Sequence, residues 1–424
     1  MVWENLGKVE RKRMTKSEER FLMILKDAFH PGEGIPSCTE LPAIGDFTDW
    51  KSIFDTARKQ NLFPLIYDAA TTYPSFAGFG QVCPQYFTAA TASMAVQMRK
   101  NTDFLALYKA FLDVDLAPVT VKGIICRELY GEKADFRPSG DEDLLIEKKD
   151  YEKMVSVLEA CGYHSSLQLD RAQSVPQEIT FYGENLTIEL HLSPFGMEKM
   201  NAWFRDVFQR SETLEVKGIP VKTMTPTDHF LFLVFHAFKH FTFGGFGVRI
   251  MLDILLSMEK YENQMDWSRM DQALEDVGAC GFLADLIEMG NQWLGFQLTQ
   301  RYRPVCPAEL LEDMFRMGTF GNATGTDWIA GRMVSDTVQK KGISGKIHHN
   351  QLLSCLRLIF PSWKMWISWK PYLKDQPWMI LREWMRRARR YLFDGTARND
   401  IKRLNKSYKI ASERIELLGK YEIL

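Results

Sequence analysis

The spacing of apolar positions divides the chain into a helical stretch, a stretch that alternates strand and helix patterns, and a second helical stretch. Residues 15–30 open with Thr15 and Ser17, continue with Glu18 and Glu19, and then carry apolar side chains at helical spacing, which predicts a capped helix. The Pro/Gly-rich stretch 31–36 breaks it. Further helices are predicted from about Thr48 to Gln60, over 65–72, and over 84–113, the last with Phe87, Met94, Val96, Met98, Phe104, Leu107 and Phe111 as its stripe. No residue in these first 113 positions stands out chemically.

The period changes near Leu116. A short β-branched run at 117–121 ends in Lys122-Gly123, and a helical pattern resumes at 124–130. Residues 140–147 read as a second strand, 150–161 as a helix stopped by Gly162, and 178–182 and 186–192 as a hairpin across Gly183-Glu184-Asn185. A further pair, 213–216 and 221–224, turns around Lys217-Gly218. From Thr225 the pattern is helical again, interrupted by the turn at 244–247 and by breaks near 304–307, 318–326 and Pro361. The expected organisation is α+β: an N-terminal helical region over 1–113, a small mixed-sheet domain over 114–225, and a C-terminal helical region over 226–424.

Composition narrows the class. The chain has 424 residues, 46% hydrophobic and 25% charged, as in an ordinary globular protein. Its 53 basic and 54 acidic residues leave a net charge of −1, so any affinity for nucleic acid would have to be local. Seven scattered cysteines with no Cys-x-x-Cys pair suit reduced thiols in a cytoplasmic protein. The basic start of the chain lacks an apolar stretch after it, so no secretory signal is expected, and no window approaches the ~18 apolar residues of a membrane-spanning helix.

Against this background the candidate chemistry is acidic. Asp141 and Asp143 stand two apart at the mouth of Leu144-Leu145-Ile146, so on a strand their carboxylates share one face. Glu189 lies in a second strand-type run, Thr187-Ile188-Glu189-Leu190-His191. Composition alone gives about seven acidic-x-acidic triplets in such a chain, so the doublet gains force only from its context.

That context resembles a known family. Lys122-Gly123, Leu129-Tyr130, Arg137-Pro138 followed by Gly140-Asp141 and Asp143, Gly162-Tyr163 and Glu189-Leu190-His191 are similar to the uncharacterised bacterial nucleotidyltransferase family of the polymerase-β-like superfamily. The likeness continues through Pro226–His240 and through Arg249 and Asp253, and reaches a Trp-rich region after Ile359-Phe360-Pro361-Ser362. The resemblance implies a polymerase-β-like domain in which Asp141, Asp143 and Glu189 hold Mg²⁺ or Mn²⁺ and act on a nucleoside triphosphate (NTP). It implies nucleotide contacts from Lys122, Gly123, Arg137 and Gly140, and a cleft that His191, His236, His240, Arg249 and Asp253 help to line. The acceptor stays open, and the near-zero net charge favours a small molecule, sugar or protein over long RNA. One departure is that Ile124 stands where the superfamily carries a phosphate-gripping hydroxyl or a second glycine.

Other patterns are weighed against this. His236 and His240 are four apart on a helix, without the glutamate of a metalloprotease helix, so packing or nucleotide contact is expected rather than zinc. Arg249 and Asp253 read most simply as a helical ion pair. Residues 363–390 combine tryptophans with Arg386-Arg387 and Arg389-Arg390, a pattern that suits a membrane surface or nucleic acid. The acidic residues after it favour a solvated helical face over a Trp-anchored core.

Overall fold

In the computed structural model the described residues are 14–31, 47–165, 178–319, 321, 334, 363, 366, 373, 377–393 and 409–423. Most of the 31–36 break and the 359–362 segment lie outside them. The chain forms two compact units, Met1–His240 with Phe246–Gly321, and Phe241–Gly245 with Asn322–Leu424.

The first unit starts with helices α1 (Lys16–Phe29), α2 (Phe47–Lys59), α3 (Phe63–Ala70), α4 (Phe76–Val82) and α5 (Pro84–Leu112). The Thr15 hydroxyl accepts from the Glu18 amide and the Glu18 carboxylate accepts from the Thr15 amide, which is the predicted cap. The stripe predicted for α5 is only half right. Phe104, Leu107 and Phe111 are buried, but Phe87, Val96 and Met98 are 60%, 53% and 51% exposed. Over that half of the helix the buried positions include Gln97 and Asn101 instead, because this part of α5 faces a polar turn rather than the sheet.

The sheet has seven strands: β1 (Val119–Thr120), β2 (Asp141–Leu145), β3 (His164–Ser165), β4 (Glu178–Tyr182), β5 (Thr187–His191), β6 (Glu212–Val216) and β7 (Ile219–Thr223), in the order β3-β4-β5-β2-β1-β7-β6. It is mixed: β2 runs parallel to β5 and antiparallel to β1, and β1 runs parallel to β7. Short helices α6 (Ile124–Arg127), α7 (Tyr151–Ala160), α8 (Glu198–Asn201) and α9 (Val207–Arg210) connect the strands. The two-residue β3 was not predicted; it is too short to carry a period.

Alternation along the strands separates core from chemistry. Leu144, Ile188 and Leu190 point to one face and pack with Phe104, Tyr108 and Phe111 of α5 and Met154 and Leu158 of α7. The residues between them, Asp141, Asp143, Glu189 and His191, take the other face. After the sheet come α10 (Pro226–Phe243), α11 (Val248–Tyr261), α12 (Trp267–Val277), α13 (Cys280–Trp293) and α14 (Pro307–Met317). Among the described residues no helix is long and apolar enough to cross a membrane.

The second unit includes α15 (Met379–Phe393) and a helix over 409–420. Trp366, Leu373 and Met379 form a small core there, with Ile380 and Trp384 against it. Buried Arg414 donates to the Phe241 carbonyl, and the Phe241 and Tyr421 rings meet edge-on at 5.1 Å.

Candidate active site

The site begins at the turn that delivers β2. The Ser139 hydroxyl accepts from Arg127 Nη1 at 2.6 Å, and the Ser139 amide donates to Gln97 Oε1 at 2.8 Å. Lys100 Nζ donates to the carbonyls of Ser139 (2.8 Å) and Gly140 (3.3 Å), and Arg249 Nη1 to that of Pro138 (2.9 Å). Helices α5, α6 and α11 therefore fix the backbone that enters Asp141. A rigid support of this kind is what aiming a carboxylate requires. Lys100, Gln97 and Asn101 were missed in the sequence; their signal is a polar i, i+3 and i+4 set inside an otherwise apolar helix.

Parallel pairing sets Asp143 opposite Glu189, Asp141 opposite Thr187 and Leu145 opposite His191. His191 Nε2 reaches back to Asp143 Oδ1 at 3.0 Å and lies 3.7 Å from Glu189 Oε2. One ligand atom from each of Asp143, Glu189 and His191 falls within 4.8 Å of the others. Asp141 shares their sheet face but is not part of that cluster. Asp143 is 2% exposed, and Lys122 Nζ lies 3.0 Å from its Oδ2 as an ion pair. A buried carboxylate whose ligand atom clusters with those of a second carboxylate and an imidazole suits a divalent cation.

The electrostatics follow from this crowding. Burial alone pushes the Asp143 carboxyl up, but the Lys122 ammonium and the His191 imidazole outweigh it and hold it down at about 2. Burial would lower His191, yet its hydrogen bond to Asp143 and the Glu189 carboxylate beside it raise it to about 9. Lys122 is held above its ordinary value by Asp143, Asp141 and Glu189 against the cost of burial.

On the opposite strand face, Glu142 is buried, pairs with Arg127, and accepts from the Ile124 amide at 2.7 Å. A Cβ at Gly123 would lie 1.8 Å from Glu142 Oε2, and the backbone has φ +58°, so a carboxylate of the chain itself requires glycine there. Gly140 differs: nothing lies within 4 Å of its Cβ direction, leaving open space beside Asp141.

Arg137 and the two histidines of α10 find their partners inside the protein. Arg137 is 3% exposed and binds Asp253 with both arms of its fork, Nε to Oδ1 at 2.7 Å and Nη2 to Oδ2 at 2.6 Å. The Tyr130 hydroxyl donates to the same Oδ1 at 2.8 Å. Asp253 is thus the partner of Arg137 rather than of Arg249, while Arg137 Nη1 is buried with no hydrogen-bond partner. The planar guanidinium matches a carboxylate bidentately wherever one is fixed within reach, and α11 fixes one here. His236 and His240 meet edge-on with ring centres 4.5 Å apart. Burial and the nearby Lys122 push both down, His240 to about 4, so they present neutral imidazoles toward the Lys122 side of the site.

Comparison with curated proteins and with solved structures returns no match. The profile of an uncharacterised nucleotidyltransferase family matches residues 46–295, which begins just before α2, takes in the whole sheet and ends just after α13, without reaching the Trp-rich region. The matched span is more than half of the 424 residues and contains every residue of the acidic cluster, and the chain belongs to this uncharacterised nucleotidyltransferase family.

Proposed function

We propose that the protein transfers a nucleoside monophosphate from an NTP to an acceptor hydroxyl or phosphate, using Mg²⁺ or Mn²⁺ held by Asp143, Glu189 and Asp141 with His191 at their side. The observation that carries this is the register that pairs Asp143 with Glu189 across β2 and β5 and, with His191, brings one ligand atom of each within 4.8 Å of the others. The metal, when bound, supplies positive charge against the triphosphate and its leaving group. The remaining work falls to the chain. Glu189, more exposed than Asp143, is the carboxylate placed to accept a proton from an acceptor hydroxyl. Lys122 and Lys100 bring cations to the mouth of the site, one against Asp143 and one against the Gly140 carbonyl. The open space at Gly140 admits the nucleotide beside Asp141. Small molecules, sugars and proteins are favoured as acceptors over long RNA, since the whole chain carries a net charge of only −1.

A second reading is a nucleotide-binding protein that performs no transfer. It draws on the turn before α6, where Glu142 already occupies the amide of Ile124 that a phosphate would use. Incubation with labelled NTPs, Mg²⁺ or Mn²⁺ and cell extract separates the two. Transfer predicts a labelled product with the wild type and none with Asp141→Ala/Asp143→Ala, whose folding is checked by circular dichroism. Equal labelling with both proteins rules out this site. Nucleotide binding with no labelled product in any extract fraction favours the second reading.

A further inference from the structure

We propose that the exposed face of α15 docks onto an anionic lipid surface. The helix has two unlike sides. Met379 and Glu383 are buried, and Ile380 and Trp384 pack toward the core of the second unit. On the other side Trp378, Leu381 and Met385 are 69%, 60% and 66% exposed. Steps of three and four residues put these three on one strip. A single exposed apolar side chain is ordinary, whereas three large ones in one strip mark a surface that meets something apolar.

The charges select what that is. Arg382, Arg386 and Arg389 are exposed and follow the same steps of four and three, forming a basic strip along one edge of the apolar one. Over Met379–Phe393 there are five arginines and one acid, Glu383, which is itself buried. Arg386 Nη1 lies 3.5 Å and Arg382 Nη2 4.0 Å from it, so Glu383 cannot neutralise the strip. An apolar strip bordered by guanidinium groups, with tryptophan at one end, is the arrangement that seats a helix in the plane of an anionic membrane, the arginines at the headgroups and the apolar side chains at the acyl boundary. A second copy fits less well, because a two-fold contact would bring the arginine strips together. Single-stranded nucleic acid fits less well too, because Leu381 and Met385 offer no aromatic platform for bases. The binding is surface adsorption, since none of the described helices can cross a bilayer.

The test is flotation of the full chain with vesicles of phosphatidylcholine alone and of phosphatidylcholine with phosphatidylglycerol. The expected result is flotation with the anionic vesicles only, reversed by high salt. Leu381→Ser/Met385→Ser and Arg389→Glu should each lower the bound fraction at least about fivefold, with circular dichroism and melting temperature unchanged because the altered residues are exposed and Arg382 and Arg386 stay beside Glu383. Absence of flotation, equal flotation with neutral vesicles, or unaffected binding by both variants overturns the proposal. So does binding to a single-stranded RNA oligomer without binding to vesicles, or a dimer that these substitutions dissociate in a chain that does not float.

Discussion

Asp143 and Glu189 occupy the same rung of two parallel neighbouring strands, and the ammonium of Lys122 pairs with Asp143 Oδ2 at 3.0 Å. Like charges on adjacent strands repel, and burial makes the repulsion costlier. Lys122 and His191 offset it. The turn at Pro138-Ser139-Gly140, braced from α5, α6 and α11, keeps β2 from retreating. The arrangement is therefore a fixed concentration of negative charge, balanced for now by groups of the chain.

Divalent metal should stabilise this arrangement. Mn²⁺ or Mg²⁺ at about one hundred times its dissociation constant adds about 2.7 kcal/mol, read as a rise in melting temperature that EDTA reverses. Asp143→Asn should remove the shift, and it should also lower the His191 pKa from about 9, since the hydrogen bond to Asp143 leads the interactions that raise it. Thermal melts with and without metal, and an NMR titration of His191, measure both. The same metal shift in wild type and Asp143→Asn would place the metal elsewhere.

Gly123 and Glu142 make a separate prediction about folding. Gly123→Ala puts a methyl 1.8 Å from Glu142 Oε2 at a backbone with φ +58°, so it should destabilise the protein by about 3 kcal/mol or more. Glu142→Gln removes the carboxylate charge paired with buried Arg127, and a comparable loss of roughly 3 kcal/mol is expected. Chemical denaturation of both variants checks this. A Gly123→Ala protein as stable as the wild type would mean that the turn tolerates a side chain and that Glu142 is not what fills it.

The sequence carried most of this architecture because the strand and helix periods in 114–225 are clean: Leu144, Ile188 and Leu190 alternate with Asp143, Glu189 and His191, and this fixed both the strands and the face that bears the acids. What it left out was long-range partnership. Nothing local says that Arg137 will meet Asp253, 116 positions away, or that Glu142 will fill the turn at Gly123. Along the sequence the polar side of α5 is indistinguishable from a solvated helix face, although Gln97, Lys100 and Asn101 are what grip the turn before Asp141 or its neighbours. Single-chain periodicity reports which face an element buries, and it is silent on which charged residue that face will meet.

Arg137 and Asp253 yield a prediction that distinguishes support from substrate contact. If the guanidinium serves only Asp253 and the cation–π contact to Tyr130, Asp253→Asn and Arg137→Lys should each cost roughly 3 kcal/mol or more in stability, because one change strands a buried charge and the other loses the fork. At a temperature where both variants remain folded, KM for the nucleotide should stay within about threefold of wild type, less than the loss of one charge-assisted hydrogen bond. Urea denaturation and nucleotide titration measure the two effects. A large rise in KM with little loss of stability would return Arg137 to the role of phosphate ligand.

The last prediction concerns acid. His229 is buried, and its Nε2 lies 2.9 Å from the Val121 carbonyl, which it can satisfy by donating as a neutral imidazole. Burial, reinforced by Arg137, pushes its pKa down to about 4, although the Val121 carbonyl and Asp253 favour the charged form. A base with a folded pKa below its unfolded value of 6.5 stabilises the fold fully above that value, and the contribution disappears as pH falls toward the folded pKa. For His229 the expected loss between pH 7 and pH 5 is about 2 kcal/mol, with His236 and His240 adding to it in the same direction. His229→Gln keeps an N–H for the Val121 carbonyl but cannot take up the proton. Its stability should therefore fall less steeply between pH 7 and pH 5 than that of the wild type in urea denaturation, and equal slopes would show that His229 does not bind the proton that destabilises the fold.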